Sequence, residues 1–456
     1  MRFRNGFASA VLAGAVGAAG TAGAIGAVGV MAAGPALAQA VEARPDVGEK
    51  PKAVEAKGLT PYPLFGSTGQ VTSGTSFNPA ISVIPEFFYF TDGSRGSSYS
   101  LLAGAEGFAA SPPGEGRNPK RGFNLGETEL VLSAAADPYF DATAIFSFAP
   151  DGVSVEEAYA RTRSLPWGLT LKAGKFYSGI GYANSQHPHQ WDFFDQSLPY
   201  LLLLGGAVNE AGVQATWLPK APFYLLVGAE ALQGTNAGLA NVVAGPGTPP
   251  GVPDRAGPRL FTGFVRMSPD IGYADALQVG AWYAWSSQQQ EAPADHPGLV
   301  LDGTAWAVGV NAVFKHDAGQ PLGKGNFTLQ AEYLYRQKEL SAAAAPAPGD
   351  LGTPTSSRQD GAYFQGTFTF APRWTANARW DAVGLVNRLD VGDSSASYRA
   401  TSRLSGALVF NPTEFSRIRA QYSHASIAVP GGGRETADQL VLQLQLSLGV
   451  HGSHSF

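Results

Sequence analysis

Close to its C-terminus the chain contains the stretch Gln439-Leu-Val-Leu-Gln-Leu-Gln-Leu-Ser-Leu-Gly449. Every even-numbered position from 440 to 448 is leucine, whereas Gln443, Gln445 and Ser447 occupy odd-numbered positions. Successive side chains of a β-strand point to opposite sides of the sheet. A strand over this stretch therefore has one wholly apolar face and an opposite face that is largely polar and carries no charge.

The same two-residue period recurs upstream. Over 362–370, Ala, Phe and Gly alternate with Tyr, Gln and Thr, and over 374–382, Trp and Ala alternate with Thr, Asn, Arg and Asp. Alternating segments of about ten residues separated by turns are typical of transmembrane β-barrels. Strands of a soluble β-sandwich also alternate but carry more surface charge, whereas this chain is only 15% Asp, Glu, Lys and Arg, against about 25% in soluble domains. The pattern predicts an all-β fold, an antiparallel transmembrane barrel.

The connections between the predicted strands are of two kinds. Short connections include 219–221, 371–373 and 411–413, and long ones include 178–210, 233–258 and 338–359. Outer-membrane barrels have short periplasmic turns and long external loops. The short connections are therefore predicted at the periplasmic end of the barrel and the long ones at the external end. If both termini lie in the periplasm, the first strand is either 81–90 or 98–110, and the total is about 16 strands.

The N-terminus has the layout of a secretory signal peptide. Arg2 and Arg4 precede an Ala-, Gly- and Val-rich stretch, and Ala38-Gln-Ala40 provides a small-residue cleavage site. We expect cleavage before Val41; the alternative is a permanent membrane anchor, for which the stretch is weakly hydrophobic. The predicted organisation is a signal peptide at 1–40, a periplasmic leader segment at 41–76 and the barrel at 77–456. The sequence thus predicts export to the cell outer membrane.

Other classes of protein find no support in the composition or the motifs. The formal net charge of −5 provides no basic surface for nucleic acid, and the absence of cysteine excludes disulfides, thiolate metal sites and cysteine nucleophiles. The chain contains neither a G-x-S-x-G elbow nor an H-E-x-x-H motif. We predict that the protein is not an enzyme and needs no cofactor, apart from the zinc considered below.

Several stretches carry a resemblance to a known family. They are Gly122-Phe-Asn-Leu-Gly-Glu-Thr-Glu129, Asp137-Pro-Tyr-Phe140, Leu171-Lys-Ala-Gly-Lys-Phe176, Ile180-Gly-Tyr-Ala-Asn-Ser-Gln-His-Pro-His-Gln-Trp-Asp-Phe193, Asn411-Pro-Thr-Glu-Phe-Ser-Arg-Ile-Arg-Ala-Gln-Tyr422 and His451-Gly-Ser-His-Ser-Phe456. Together they resemble bacterial outer-membrane proteins related to phosphate-selective porins, whose members are often labelled zinc-regulated TonB-dependent outer-membrane receptors. The resemblance covers roughly 77–456, and it implies a porin-like barrel in the outer membrane.

The properties of a pore depend on the side chains that point into the barrel. The polar phase of the predicted strands contains the charged residues Glu127, Glu129, Lys172, Glu230, Glu332, Arg336, Arg379, Asp381, Arg399, Arg403, Arg417 and Arg419. Basic residues concentrate on the last four strands and carboxylates on the earlier ones. A phosphate-selective pore needs a near-continuous basic track. The one-sided distribution does not provide such a track and predicts weak ion selectivity. The alternative reading of these charges is that those on neighbouring strands simply neutralise one another. The candidate pore-lining residues of the strands are Lys172, Glu230, Arg379, Asp381, Arg417 and Arg419.

The connection 178–210 differs from the other long loops in its apolar and aromatic content. It contains Trp191, Phe193, Phe194, Tyr200 and the run Leu201–Leu204. Such a surface needs shelter from water, either in the barrel lumen or against a neighbouring subunit of a homotrimer. We predict that the loop folds inward and narrows the pore. Asp192 or Asp195 would then face Arg379, Arg417 and Arg419 across the remaining aperture.

Two histidines of this loop form a candidate metal site. His187 and His189 share a face if the stretch is extended, and Asp192 and Asp195 follow them closely. Imidazole and carboxylate groups are ligands of zinc. The alternative is that the histidines fix the loop conformation through hydrogen bonds.

Three functions remain open at this point. The first is a porin-like channel for passive diffusion of small ions or solutes, and the second is a specific uptake channel for zinc or another metal complex. The third is a non-conducting structural or adhesive surface barrel. The expected partners are outer-membrane lipid and the assembly machinery, because Phe456 is in phase with the leucines of the last strand.

Overall fold

The computed structural model describes residues 79–94, 96–108, 119–150, 152–243, 252–253, 255–293 and 296–449. Signal peptide, leader segment and the terminal His451, His454 and Phe456 lie outside the described residues. Within them the strands form a single antiparallel sheet that closes on itself. The prediction of an antiparallel β-barrel is confirmed.

The wall of the barrel is built from sixteen long strands in the described part of the chain. The strands are β1 (Ala80–Asp92), β2 (Gly122–Ala135), β3 (Phe140–Ala149), β4 (Gly152–Thr162), β5 (Leu169–Tyr177), β6 (Asn209–Trp217), β7 (Tyr224–Leu232), β8 (Leu260–Ser268), β9 (Asp275–Glu291), β10 (Val300–His316), β11 (Phe327–Ala344), β12 (Pro354–Ala371), β13 (Trp374–Val391), the short β14 (Ser394–Ser397), β15 (Thr401–Thr413), β16 (Ser416–Val429), β17 (Gly433–Leu446) and the short β18 (Leu448–Gly449). The short β14 pairs with the end of β13, and β18 extends β17.

The helices of the described residues are short and lie in the connections. They are α1 (Ser98–Ala103), α2 (Leu198–Leu203) and the 3-10 helices Pro166–Gly168, Ala183–Ser185, Pro188–Gln190, Pro321–Gly323 and Pro348–Asp350. No helix in the described ranges combines the length and the hydropathy needed to span a lipid bilayer.

Closure joins the first strand to the last. One edge of β1 pairs with β2, and the other pairs with β17, where Phe87 lies opposite Leu444 and Phe88 opposite Gln443. All other wall strands pair with their neighbours in the chain. A closed sheet has no free edge, so every strand meets its backbone hydrogen-bonding needs within the wall.

The alternation of the last strand places its leucines outside and its glutamines inside. Leu440, Leu442 and Leu444 are 40, 50 and 39% exposed, whereas Gln443 and Gln445 are buried. Because the outward face is apolar and the inward face polar, the wall has the two-sided character of a transmembrane barrel.

The boundaries of the strands differ from the predictions in two respects. Residues 98–103 form α1, so the first strand is β1 and the alternative at 98–110 is wrong. Strands β11 and β12 have 18 residues each and extend into the predicted loop 338–359, of which only 345–353 is a connection. The ladder between β11 and β12 continues there because backbone pairing does not need an alternating side-chain pattern.

Candidate functional site: the barrel lumen

Residues 178–208, which connect β5 to β6 and are called here the lumenal segment, contact several sides of the wall. The Gly179 amide donates a hydrogen bond to Glu230 Oε1 on β7 over 2.8 Å. The Tyr182 amide donates to Glu332 Oε2 on β11 over 3.0 Å, and the Phe194 amide donates to Gln421 Oε1 on β16 over 2.7 Å. These strands are well separated in a closed barrel, so a segment that reaches the inward side chains of all of them lies inside it.

The first turn of the lumenal segment is built around the carboxylate of Glu332. This carboxylate accepts hydrogen bonds from the amides of Tyr182 and Ala183 and from the Tyr200 hydroxyl, at 3.0, 2.9 and 3.0 Å. Gly181 has a φ of +61°, and a Cβ there would lie 2.2 Å from the Tyr200 hydroxyl oxygen. The turn therefore requires glycine at this position for both conformation and space.

The apolar residues of the segment are sheltered by the wall. Helix α2 is entirely buried, and Tyr200 and Leu203 share a hydrophobic cluster with Phe176, Val383 and other inward residues. Farther along, the ring of Phe194 meets Phe88 of β1 edge-on, with centroids 4.8 Å apart. Burial of these side chains supplies the main driving force for docking the segment.

Two carboxylates and two arginines form a buried network where the segment meets β13 and β15. Asp195 pairs with Arg379 Nη2 at 2.8 Å and with Arg403 Nη1. Asp381 pairs with Arg379 Nε at 2.8 Å and with Arg403 Nε at 3.2 Å. Burial favours the neutral acid, but Arg403 and Arg379 outweigh it and lower the pKa of Asp195 below its ordinary value of 3.8.

Arg417 and Arg419 of β16 hold a different part of the segment. Arg417 Nη1 donates to the carbonyl oxygens of His189 and Trp191 at 3.0 and 3.3 Å, and Arg419 Nη2 donates to that of Trp191. Asp192 accepts a hydrogen bond from Gln365 Nε2 over 2.8 Å.

The acidic and basic groups of the segment and the wall are therefore in direct contact at Asp195. The expected aperture between Asp195 and Arg379 is not there, because these side chains bridge the segment and β13. Arg403 is one of the inward charges predicted above, but its pairing with Asp195 is not predictable, since nothing in the sequence specifies a contact between residues 208 positions apart.

Lys172 and Glu230 lie away from this network, on β5 and β7. Lys172 Nζ is 5.0 Å from the ring centroid of Tyr159 and 4.6 Å from that of Phe176. Glu230 binds the start of the segment at Gly179. The eight residues proposed to line the pore thus fall into a β5–β7 group and a β13–β16 group, with Asp192 and Asp195 beside the latter.

The two histidines meet glutamates rather than aspartates. His187 Nδ1 is 2.9 Å from Glu156 Oε2, and His187 Nε2 is 3.2 Å from Glu157 Oε2. His189 Nδ1 is 2.9 Å from Glu129 Oε2. Burial disfavours the charged imidazole, but Glu129, Glu156 and Glu157 outweigh it and raise the pKa of His187 well above 6.5.

The expected grouping of His187 and His189 with Asp192 and Asp195 does not match these contacts. Asp195 is engaged by arginines and Asp192 by Gln365. Because the stretch contains a 3-10 helix at Pro188–Gln190 instead of an extended run, the chain carries the aspartates toward β12 and β13.

A β-bulge in β4 brings two consecutive glutamates to the same side of the wall. Ile145 of β3 pairs with Glu157, but the next residue, Phe146, pairs with Val155, so Glu156 is the extra residue. Glu156 and Glu157 are both 8% exposed, whereas Val155 is 41% exposed. The only sequence signal for this feature is the adjacent pair of acidic residues in a strand that otherwise alternates.

Comparison with known proteins gives a relative by sequence and several solved outer-membrane barrels of similar fold. The chain matches no family model. It is 35% identical over 397 residues to an uncharacterized protein of Aquifex aeolicus (strain VF5), covering 84% of this chain and 81% of that protein.

Among solved structures, the outer membrane channel DcaP of Acinetobacter baumannii superimposes with a TM-score of 0.52 at 11% identity, over 81% of this chain and 96% of DcaP. OmpT, an outer membrane protein of Vibrio cholerae, gives a TM-score of 0.46 at 9% identity, over 83% of this chain and 100% of OmpT. The likeness to DcaP shows a shared barrel fold. The narrower labels of phosphate-selective porin and TonB-dependent receptor are not confirmed. The identity and coverage of the Aquifex aeolicus relative show that this chain belongs to the same protein family.

Proposed function

We propose that the protein is a porin-type channel of the outer membrane that passes small ions or solutes by passive diffusion. The observation that carries the proposal is a closed barrel with an apolar outer face and an inner face rich in charged and amide side chains. A polar interior is typical of barrels that hold a water-filled path. The shared fold with a protein described as an outer membrane channel is consistent with this function.

In this proposal the lumenal segment sets the width of the pore. In addition to the burial of its apolar side chains, the segment is held by Asp195, which bonds Arg379 and Arg403, and by backbone carbonyls that Arg417 and Arg419 bind. Lumenal loops of this kind narrow porins whose barrel is wide enough to admit them.

The selectivity of the pore is expected to be weak. The candidate pore-lining residues are Lys172, Asp192, Asp195, Glu230, Arg379, Asp381, Arg417 and Arg419. They include both signs of charge, and Asp195 and Asp381 neutralise Arg379 and Arg403 directly. A channel lined in this way has no continuous track of one sign, which strong ion preference requires.

Planar-bilayer recording of the purified barrel tests the proposed function. Discrete conductance steps are expected in potassium chloride, lithium chloride and potassium acetate. Reversal potentials under a salt gradient should show only a small preference for one ion. A barrel that inserts but gives no conductance steps would contradict the proposal and favour a structural surface barrel.

The proposal also includes the route to the membrane and the assembly state. Residues 1–40 would direct export and be removed before Val41, residues 41–76 would remain in the periplasm, and the barrel would contact outer-membrane lipid. N-terminal sequencing of the mature protein checks the cleavage site. Chemical cross-linking in the membrane distinguishes a homotrimer, which the sequence leaves open, from a monomer.

A further inference from the structure

A cluster of three glutamates and two histidines joins the lumenal segment to the wall. Glu129 comes from β2, Glu156 and Glu157 from β4, and His187 and His189 from the segment. Glu129, Glu156, Glu157 and His187 are 3, 8, 8 and 6% exposed, so the cluster is largely shielded from solvent. It takes no part in the Asp195 network.

The donor atoms of this cluster converge on a common point. One oxygen of Glu129, one of Glu156 and one nitrogen of His187 all lie within 4.8 Å of one another. His187 Nδ1 is 2.9 Å from Glu156 Oε2 and 3.5 Å from Glu129 Oε2. In a tetrahedral zinc site the ligand atoms lie about 2.0–2.2 Å from the ion and therefore about 3.3–3.6 Å from one another. Small shifts of the Glu129, Glu156 and His187 side chains would bring their donor atoms to these separations.

The second ring nitrogen of His187, Nε2, faces a carboxylate, as the non-ligating nitrogen of a metal-binding histidine usually does. Its Nε2 lies 3.2 Å from Glu157 Oε2. A histidine that binds a metal through one nitrogen usually donates its other N–H to a carboxylate, which fixes the tautomer and the ring orientation. In that tautomer Nδ1 is an acceptor facing two carboxylates, and only a proton or a cation between them makes the contact favourable.

The charges of the cluster also favour a cation. Three carboxylates buried close together repel one another and need compensation in a medium of low dielectric constant. Lys172, whose ammonium group lies against the rings of Tyr159 and Phe176, interacts electrostatically with Glu157 but supplies only one positive charge for three carboxylates.

We propose that Glu129, Glu156 and His187 bind one divalent transition-metal cation, with Glu157 orienting His187. His189, whose ring is stacked on that of His187 at 5.7 Å, supports Glu129 through its Nδ1. Mixed imidazole and carboxylate ligands suit Zn²⁺ and its neighbours better than Mg²⁺. Such an ion fastens the lumenal segment to β2 and β4, independently of whether the barrel conducts.

Isothermal titration calorimetry of the full-length barrel in detergent micelles tests the site. Wild-type protein stripped with a chelator is expected to bind one Zn²⁺ per chain, with Mg²⁺ failing to compete at a hundredfold excess. His187→Asn and Glu129→Gln should abolish this binding, and Glu157→Gln should weaken it by about 10–100-fold. His424→Asn is the matched control, because His424 is half-exposed and pairs with Asp438 away from the cluster.

Heat-modifiable gel mobility shows which variants retain the folded barrel. If a variant does not fold, electron paramagnetic resonance of Cu²⁺ bound to wild-type protein provides the second readout, with nitrogen coupling from imidazole expected. The proposal is overturned if wild-type protein binds no Zn²⁺, if Mg²⁺ competes equally, if folded His187→Asn binds as tightly as His424→Asn, or if bound Cu²⁺ has oxygen ligands only.

Discussion

At the scale of the single residue, Asp195 joins the lumenal segment to two buried arginines of the wall. Its carboxylate contacts Arg379 and Arg403, which are 3 and 1% exposed. Removing one member of a buried ion pair leaves the partner charge without compensation, which costs more than the pair itself contributes. An ion pair between solvent-exposed side chains, by contrast, contributes little to the free energy of unfolding.

Asp195→Asn should therefore lower the free energy of unfolding by about 3–5 kcal/mol at pH 7, measured by urea titration in lipid vesicles. The pKa of Asp195 is lowered in the folded state, so its contribution is complete above its ordinary pKa of 3.8 and is lost as pH falls through the folded-state value. The difference in unfolding free energy between wild type and Asp195→Asn should therefore shrink as the pH falls below 3.8 and through the lower folded-state pKa. The control is Asp438→Asn, whose half-exposed pair with His424 contributes about 0–1 kcal/mol.

Leu444 provides the corresponding residue-scale test on the outer face. It is 39% exposed in a row of outward leucines. Leu444→Arg should destabilise the barrel by about 2–4 kcal/mol because a charge in the apolar layer is costly. Leu444→Met is the size-matched control, and we expect a change of less than about 1.5 kcal/mol for it. Equal stability of the two variants in vesicles would show that this face does not contact lipid.

At the scale of the element, alternation predicts a strand well but predicts its ends poorly. The last strand was predictable because its leucines and glutamines mark both faces. The outer ends of β11 and β12 carry polar and small residues on both faces, so they resemble loop sequence although their ladder continues. The β4 bulge was not predictable, since one extra residue reverses the facing of a strand without a distinctive composition.

The connection 345–353 offers an element-scale test of orientation. By the parity of the strands it lies on the end opposite the short turn between β12 and β13. An epitope tag inserted next to Pro348 should be detected by antibody on intact cells. A tag next to Pro372 should be detected only after the outer membrane is permeabilised. The reverse pattern would mean that the barrel is inserted the other way round.

At the scale of the whole molecule, the closed wall and the lumenal segment depend on contacts that are remote in sequence. The loop composition from Trp191 to Leu204 predicts that this segment needs shelter, and hydrophobic burial explains why. Its specific partners were beyond prediction, because Tyr182 and Glu332 are 150 residues apart and meet only after the barrel has closed. Composition thus indicates which segment is buried, whereas strand register determines what it contacts.

Single-channel conductance after removal of residues 186–206 tests whether the lumenal segment narrows the pore. The deletion takes out Asp195 and most of the apolar part of the lumenal segment while leaving β5 and β6 intact. Conductance should rise severalfold over wild type, whereas a control deletion of 346–352 in the connection between β11 and β12 should leave it unchanged. A folded, inserted deletion variant with wild-type conductance would contradict the claim that this segment narrows the pore.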